Sequence, residues 1–200
     1  VDYGMGNIRS ILNALREVGS RGELISDPRD IARRGALILP GVGAFGEAMA
    51  TLRRTGIDEA LHEARRSGAR ILGICLGMQL MFSASEEGGQ HVGLGWIEGR
   101  VVRFPDRQGL RVPHMGWNEL SFARSHELLD GVADGCDVYF LHSYYCHCDD
   151  PADVLATARY GEQFTAMVAK ENLHGIQFHP EKSQQPGLAM LRNFLRRCAC

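Results

Sequence analysis

The chain has no dominant charge: 22 lysines and arginines stand against 24 aspartates and glutamates, a formal net charge of −2. A surface built mainly for nucleic acid or anionic membrane is thereby excluded, and the short basic clusters Arg33-Arg34, Arg65-Arg66 and Arg196-Arg197 read as solvated helix ends. Long apolar runs are missing too. The longest, Ile71 to Phe82, is interrupted by Gln79 and bounded by Arg70, well short of the roughly 20 residues of a membrane helix, and no signal peptide is expected before it. Six cysteines in 200 residues (75, 136, 146, 148, 198 and 200) are too sparse and uneven for a disulfide framework, so a reducing, cytoplasmic setting is expected. Cys198 and Cys200 read as exposed thiols without a role. His142, Cys146, His147, Cys148 and Asp149 crowd together, but Cys-x-Cys without a second pair is not a structural zinc spacing, and no metal is expected. Repeats, linkers and low-complexity stretches are absent, so residues 1–200 are expected to form one domain. The opening Val1-Asp2-Tyr3 has no methionine and reads as the end of a strand, with the first few residues of the natural N-terminus absent.

What is present alternates between strand and helix. After the turn Gly4-Met5-Gly6-Asn7, residues Ile8, Ile11, Leu12, Leu15 and Val18 recur at helical spacing until Gly19. Glu23 to Ser26 reads as a second strand turned by Asp27-Pro28, and Ala36-Leu37-Ile38-Leu39 as a third, buried on both faces. Phe45, Ala48, Met49 and Leu52 mark one helix and Asp58 to Ser67 another, before the apolar run Ala69 to Ile74. This order implies a parallel, doubly wound sheet whose site lies at the carboxyl ends of its strands. From Glu86 onward glycines break the chain, and Ile97 to Phe104, Val112 to Leu120, Asp137 to Tyr145, Val154 to Tyr160, Phe164 to Ala169 and His174 to Phe178 read as largely antiparallel strands. A short helix is expected near Glu127 to Asp130, and a last amphipathic one carries Leu188, Leu191, Phe194 and Leu195.

Gly73-Ile74-Cys75-Leu76-Gly77 reads as a strand running into a tight turn with a cysteine at its tip, then a helix from Leu76 to Phe82. Glycine two positions either side permits the strained backbone and close strand–helix approach of a nucleophile elbow, and the helix N-terminus favours negative charge on the sulfur. Taken alone, these five residues also fit a buried cysteine in a glycine-rich turn. In the second chemical stretch, Phe178-His179-Pro180-Glu181, residues two apart on extended chain share a side, so Glu181 can orient His179 and His179 can deprotonate a cysteine. Alone, this stretch also fits a strand-end histidine beside a surface glutamate.

Pro40-Gly41-Val42-Gly43, Gly73 to Gln79 and Phe178 to Glu181, in that order, resemble the triad-type (class I) glutamine amidotransferases. Within them, Asp2 to Asn7, Pro40 to Phe45, His114-Met115-Gly116-Trp117-Asn118, His142-Ser143-Tyr144 and Phe178 to Ser183 resemble the glutaminase subunits of imidazole glycerol phosphate synthases, and the likeness runs from residue 2 to about 184. The resemblance implies an α/β, flavodoxin-like three-layer fold with a central, mostly parallel sheet and an antiparallel extension. It implies hydrolysis of L-glutamine to glutamate and ammonia by Cys75, His179 and Glu181, with no cofactor. Backbone donors at Leu76 and the Val42-Gly43 turn would hold the oxyanion, and the glycines flanking Val42 would let that peptide turn over. Gly43, Gln79, Glu87, His142, Ser143 and Tyr144 would bind glutamine, with Glu86 an open alternative to Glu87. The implied partner is a (β/α)8-barrel cyclase subunit, contacted through Asn7, Trp117, Asn118 and Lys182, which uses the ammonia to make imidazole glycerol phosphate and aminoimidazole carboxamide ribotide in histidine biosynthesis. Trp117 also fits a core position and Lys182 a plain surface lysine. The same triad would suit a subunit of another synthase or a stand-alone γ-glutamyl hydrolase, and a catalytically silent binding subunit would have to have lost a triad member.

Overall fold

A computed structural model describes residues 1–106 and 109–196; Arg197, Cys198 and Cys200 lie outside them. In chain order the elements are α1 (Ile8–Glu17), α2 (Pro28–Ala32), β1 (Ala36–Leu39), α3 (Phe45–Thr55), α4 (Ile57–Arg66), β2 (Arg70–Ile74), α5 (Leu76–Gln79), β3 (Phe82–Ser85), β4 (His91–Val92), β5 (Ile97–Arg103), β6 (His114–Glu119), β7 (Ser121–Phe122), β8 (Asp137–His142), β9 (Tyr144–Cys148), β10 (Val154–Tyr160), β11 (Glu162–Lys170), β12 (Leu173–Ile176) and α6 (Gln184–Arg196). The main sheet runs β1-β2-β12-β11-β9-β5-β3-β4, with β10 on β11 and β7 on β10, while β6 and β8 form a separate two-stranded ribbon. β1, β2 and β12 are mutually parallel, as are β3 and β5; the other pairings are antiparallel.

The sheet is the middle of three layers. On one side α3 and α4 turn Phe45, Ala48, Met49, Leu52, Ile57 and Leu61 onto Leu37, Leu39 and Ile71. On the other, Ile11, Ala14 and Leu15 of α1 and Leu188, Leu191 and Phe194 of α6 cover Leu72 and Ile74. β2, next to the edge strand β1, is thus buried on both faces, and its carboxyl end leads straight into Cys75.

Several sequence expectations are corrected. Asp27-Pro28 does not turn a strand: Asp27 caps α2 by accepting the Arg29 N–H at 2.9 Å, with Pro28 at the first helical position. Neither Val1 to Tyr3 nor Glu23 to Ser26 forms a strand. Between them runs one backbone bond, Asp2 N–H to Ile25 O at 2.7 Å, too few for a ladder. β1 is buried on one face only, since Ala36 and Ile38 are half-buried beside a cavity they line with Ile11, Leu15 and Leu195. The helix after Cys75 is a single turn. The carbonyls it would need next are taken by the 93–97 loop, with Leu94 N–H on Leu80 O and Trp96 N–H on Met81 O, and the chain leaves as β3. Asp137 to Tyr145 breaks at Ser143 into β8 and β9, and the expected helix at Glu127 is a 3-10 turn over Glu127–Leu129. Cys75, Cys136, Cys146 and Cys148 are free thiols. Among the described residues no helix is long and apolar enough to cross a membrane.

Candidate active site

Cys75 sits at φ 54°, ψ −113°, a conformation that non-glycine residues rarely adopt. Neighbouring contacts leave it no alternative. Its N–H donates to Ile176 O at 2.7 Å, and the glycines bracketing it allow backbones to meet directly. A Cβ on Gly73 would lie 2.6 Å from Gly77 O, and one on Gly77 would run into Leu39 O. Gly41 serves the same purpose for the Pro40 to Gly43 turn, where a Cβ would meet the Tyr3 hydroxyl at 2.7 Å and Leu76 Cβ at 2.8 Å. Tyr3 Oη donates to Pro40 O at 2.9 Å and ties that turn down. Gly43, at φ 110°, is in a region that favours glycine.

His179 follows β12, the strand beside β2, so parallel pairing carries it to the sulfur. It interacts with Cys75, and its Nδ1 lies 3.0 Å from Glu181 Oε1. The Glu181 side chain is 1% exposed, and its Oε2 is buried without a hydrogen-bond partner, which leaves the imidazole to answer its charge. Burial opposes charge on His179, but the hydrogen bonds and charges of Cys75 and Glu181 outweigh it and raise the imidazole to about 10. An imidazolium therefore faces the sulfur at neutral pH and stabilises negative charge there.

A cavity of about 280 Å³ opens over this pair. It gathers Val42 and Gly43, Cys75, Leu76, Gln79, Glu87, His142, Ser143, Tyr144 and His179, with Asn7 and Lys182 also on its wall. Glu86 and Glu87 line different pockets: Glu86 accepts the Arg103 N–H at 2.9 Å beside a second pocket. Glu87 reaches the cavity while its Oε2 accepts the Phe45 N–H at 2.7 Å, capping α3. His142 lines the wall, but both ring nitrogens are taken, Nδ1 by Tyr144 O at 2.8 Å and Nε2 by His114 Nδ1 at 3.1 Å. Only its backbone and ring edge are left to face the cavity.

Strand alternation separates two residues expected to act together. Trp117 lies on the outer face of the β6–β8 ribbon, 48% exposed, with exposed Met115 beside it and Leu141 opposite Met115. Asn118 points to the inner face, where its amide nitrogen is 2.9 Å from Arg159 O and 3.3 Å from His114 Nε2. Lys182 Nζ sits over the Tyr139 ring, which in turn meets Trp117 edge-on.

Sequence reasoning left one buried residue without a role. Gln177 is fully buried, accepts from Gln79 Nε2 at 3.0 Å and lies with its Nε2 3.8 Å from Cys75 Sγ. Its position two residues before His179 on extended chain was the available signal.

A family model, glutamine amidotransferase class-I, matches residues 1–198. The chain belongs to the class-I glutamine amidotransferases. One curated relative of this amidotransferase is imidazole glycerol phosphate synthase subunit HisH of Sulfurimonas denitrificans, 48% identical over 98% of this chain and 96% of that one. The protein of the same name from Moorella thermoacetica is 47% identical over 97% and 91%. Solved structures share the fold: a glutamine amidotransferase superposes with a TM-score of 0.75 at 22% identity, covering 98% of this chain and 96% of that one. PurLQS from Thermotoga maritima does so at 0.73 and 18%, covering 98% and 95%.

Proposed function

We propose that this chain is the glutaminase subunit of an imidazole glycerol phosphate synthase, acting as a single domain in the cytoplasm. The observation that carries the chemistry is the strained Cys75 elbow beside a buried His179–Glu181 pair, under a cavity of about 280 Å³. Identity of 47–48% to the named subunits over nearly the whole chain supports the choice of synthase.

Cys75 sulfur attacks the side-chain carboxamide carbon of glutamine, and the carbonyl π electrons move to oxygen. The N–H of Leu76, among the donors a helix start leaves unpaired, and one from the Val42-Gly43 peptide receive that oxyanion. When the intermediate collapses the C–N bond breaks and His179 gives its proton to the departing ammonia. Water then attacks the γ-glutamyl thioester as His179 takes its proton, and glutamate leaves with the sulfur restored. Glu181 holds the imidazole throughout. Gln79 and Glu87 place the substrate, Glu87 by charge against the α-ammonium, with Gly43, Ser143 and Tyr144 completing the wall.

Ammonia passes to a cyclase subunit of (β/α)8-barrel fold, docked over the cavity, where Val42 and Leu141 are exposed, and over the outer face of the β6–β8 ribbon, where Trp117 and Met115 are exposed. Asn7 and Lys182 flank that cavity. The partner with its ribotide ligand turns the Val42-Gly43 peptide into its oxyanion-binding orientation. The test is glutamate release with and without the cyclase and ribotide, beside Cys75→Ala. Release that needs the complex and vanishes in the variant is expected; equal release without the partner would refute the gating.

A further inference from the structure

We infer that Gln177 is a further residue of the catalytic site: it delivers an amide N–H to the sulfur of Cys75, and a chain of buried hydrogen bonds fixes which end of its amide faces that sulfur.

The orientation is set at a backbone carbonyl, which only accepts. Tyr144 O lies 2.9 Å from Gln79 Nε2, so the nitrogen end of that amide must face it. The same nitrogen has a second hydrogen, aimed at Gln177 Oε1 3.0 Å away. With its oxygen held there, Gln177 has only its nitrogen left to turn toward Cys75 Sγ, at 3.8 Å. A reversed Gln177 would set two N–H groups against each other and an oxygen lone pair against the sulfur. Both amides are buried, where an unpaired donor or acceptor is penalised, so the order is imposed.

Tyr144 O is itself held. His142 Nδ1 donates to it at 2.8 Å, His114 Nδ1 to His142 Nε2 at 3.1 Å, and Asn118 Nδ2 to His114 Nε2 at 3.3 Å. Every donor in this run points toward Tyr144, which requires both imidazoles to be neutral, and burial keeps them so, lowering His114 to about 4 and His142 to about 3. At the other end, the Gln177 backbone N–H is anchored on Ala166 O at 2.9 Å. The amide is thus clamped beside the nucleophile from both its backbone and its oxygen.

A donor aimed at sulfur favours the thiolate over the thiol. It acts when the free nucleophile attacks and again when the second tetrahedral intermediate expels sulfur as thiolate. His179 supplies the opposing charge, and Gln177 adds a neutral donor that does not change protonation during the cycle. The other titratable groups around the sulfur are Tyr3 and Cys146, with Glu87, His142 and Lys182 farther along the cavity wall and Glu181 behind His179.

The test follows alkylation of Cys75 by iodoacetamide against pH, read at the Cys75 peptide by mass spectrometry so that other thiols do not intrude. It is made on the full chain, with Cys75→Ser as the blank. Gln177→Met keeps the length and removes the donor; Gln177→Glu keeps the shape and places oxygen against sulfur. The pH of half-maximal rate is expected to rise by about one unit in Gln177→Met, a tenfold slowing on the acid limb, and further in Gln177→Glu. Thermal midpoints identify any variant that has lost the fold, and either variant alone then carries the comparison. A wild-type profile in Gln177→Met, or the same displacement in both variants, would overturn the inference. It rests on Cys75 being the nucleophile of the proposed glutaminase, but the readout needs no glutamine turnover: a chain inactive on glutamine with displaced profiles would sink that proposal and leave Gln177 standing.

Discussion

Gly73→Ala is the sharpest structural test of the elbow. The added Cβ would lie 2.6 Å from Gly77 O and 2.7 Å from Gly77 C and Met78 N, all backbone atoms of α5. Ordinary contact begins at 3.4 Å, so relief demands 3.4 − 2.6 = 0.8 Å of separation between β2 and the helix that follows Cys75. No side-chain rotation supplies it, and β2 is pinned by β1 and β12, so Cys75 and the Leu76 N–H move relative to His179. Overpacking of this kind costs about 1–3 kcal/mol of stability, and displacement near 1 Å at a reacting centre costs about 100-fold in rate. The control is Gly35→Ala, where a Cβ meets nothing within 4 Å. Glutamate release by the partnered enzyme and thermal melting measure both consequences. Gly73→Ala with wild-type rate and melting temperature would refute the claim that these glycines exist to let the backbones touch.

Glu181→Gln removes the charge that helps hold His179 protonated; kcat should fall by about 100-fold or more, and the pH range of activity should move down, both read from pH–rate profiles. Glu87→Gln keeps an acceptor for the Phe45 N–H but removes the charge proposed to meet the α-ammonium, so KM for glutamine should rise about tenfold or more with little change in melting, whereas Glu87→Ala should also lose about 1 kcal/mol of helix capping. His142 and His174 are buried and lowered to about 3, and His114 to about 4. The unfolded chain therefore binds more protons than the folded one once pH drops below about 6.5, and stability should fall toward pH 4 by about 1.4 kcal/mol per unit per histidine, in urea melts at stepped pH. His174→Phe, in place of a ring whose Nδ1 is buried without a partner, should flatten that slope.

Much of the site was legible because its chemistry is local in the chain. Five residues around Cys75 carry their own turn geometry, and His179 and Glu181 are two apart on extended chain. What stayed illegible depends on which face or which carbonyl a residue meets. Glu86 and Glu87 are neighbours in sequence yet serve different pockets. Trp117 and Asn118 share a motif, but pleating sends them to opposite faces of the ribbon. His142 keeps to the cavity wall with both nitrogens already committed to Tyr144 and His114, a pairing set by β6–β8 register. The helix after Cys75 was overestimated because its apolar residues fit a helix, while distant amides at Leu94 and Trp96 claim the carbonyls. The short strands β3 and β7 depend on pairing with β5 and β10, and β4 on β3 alone.

The central claim is that Cys75 carries the γ-glutamyl group during turnover. Acid quenching of the partnered enzyme with glutamine, followed by peptide mass spectrometry, reads this directly. The γ-glutamyl mass should appear on the Cys75 peptide and be absent from a Cys75→Ser variant. Sustained glutamate release with that peptide unmodified, or with the adduct on Cys136, Cys146 or Cys148, would contradict it.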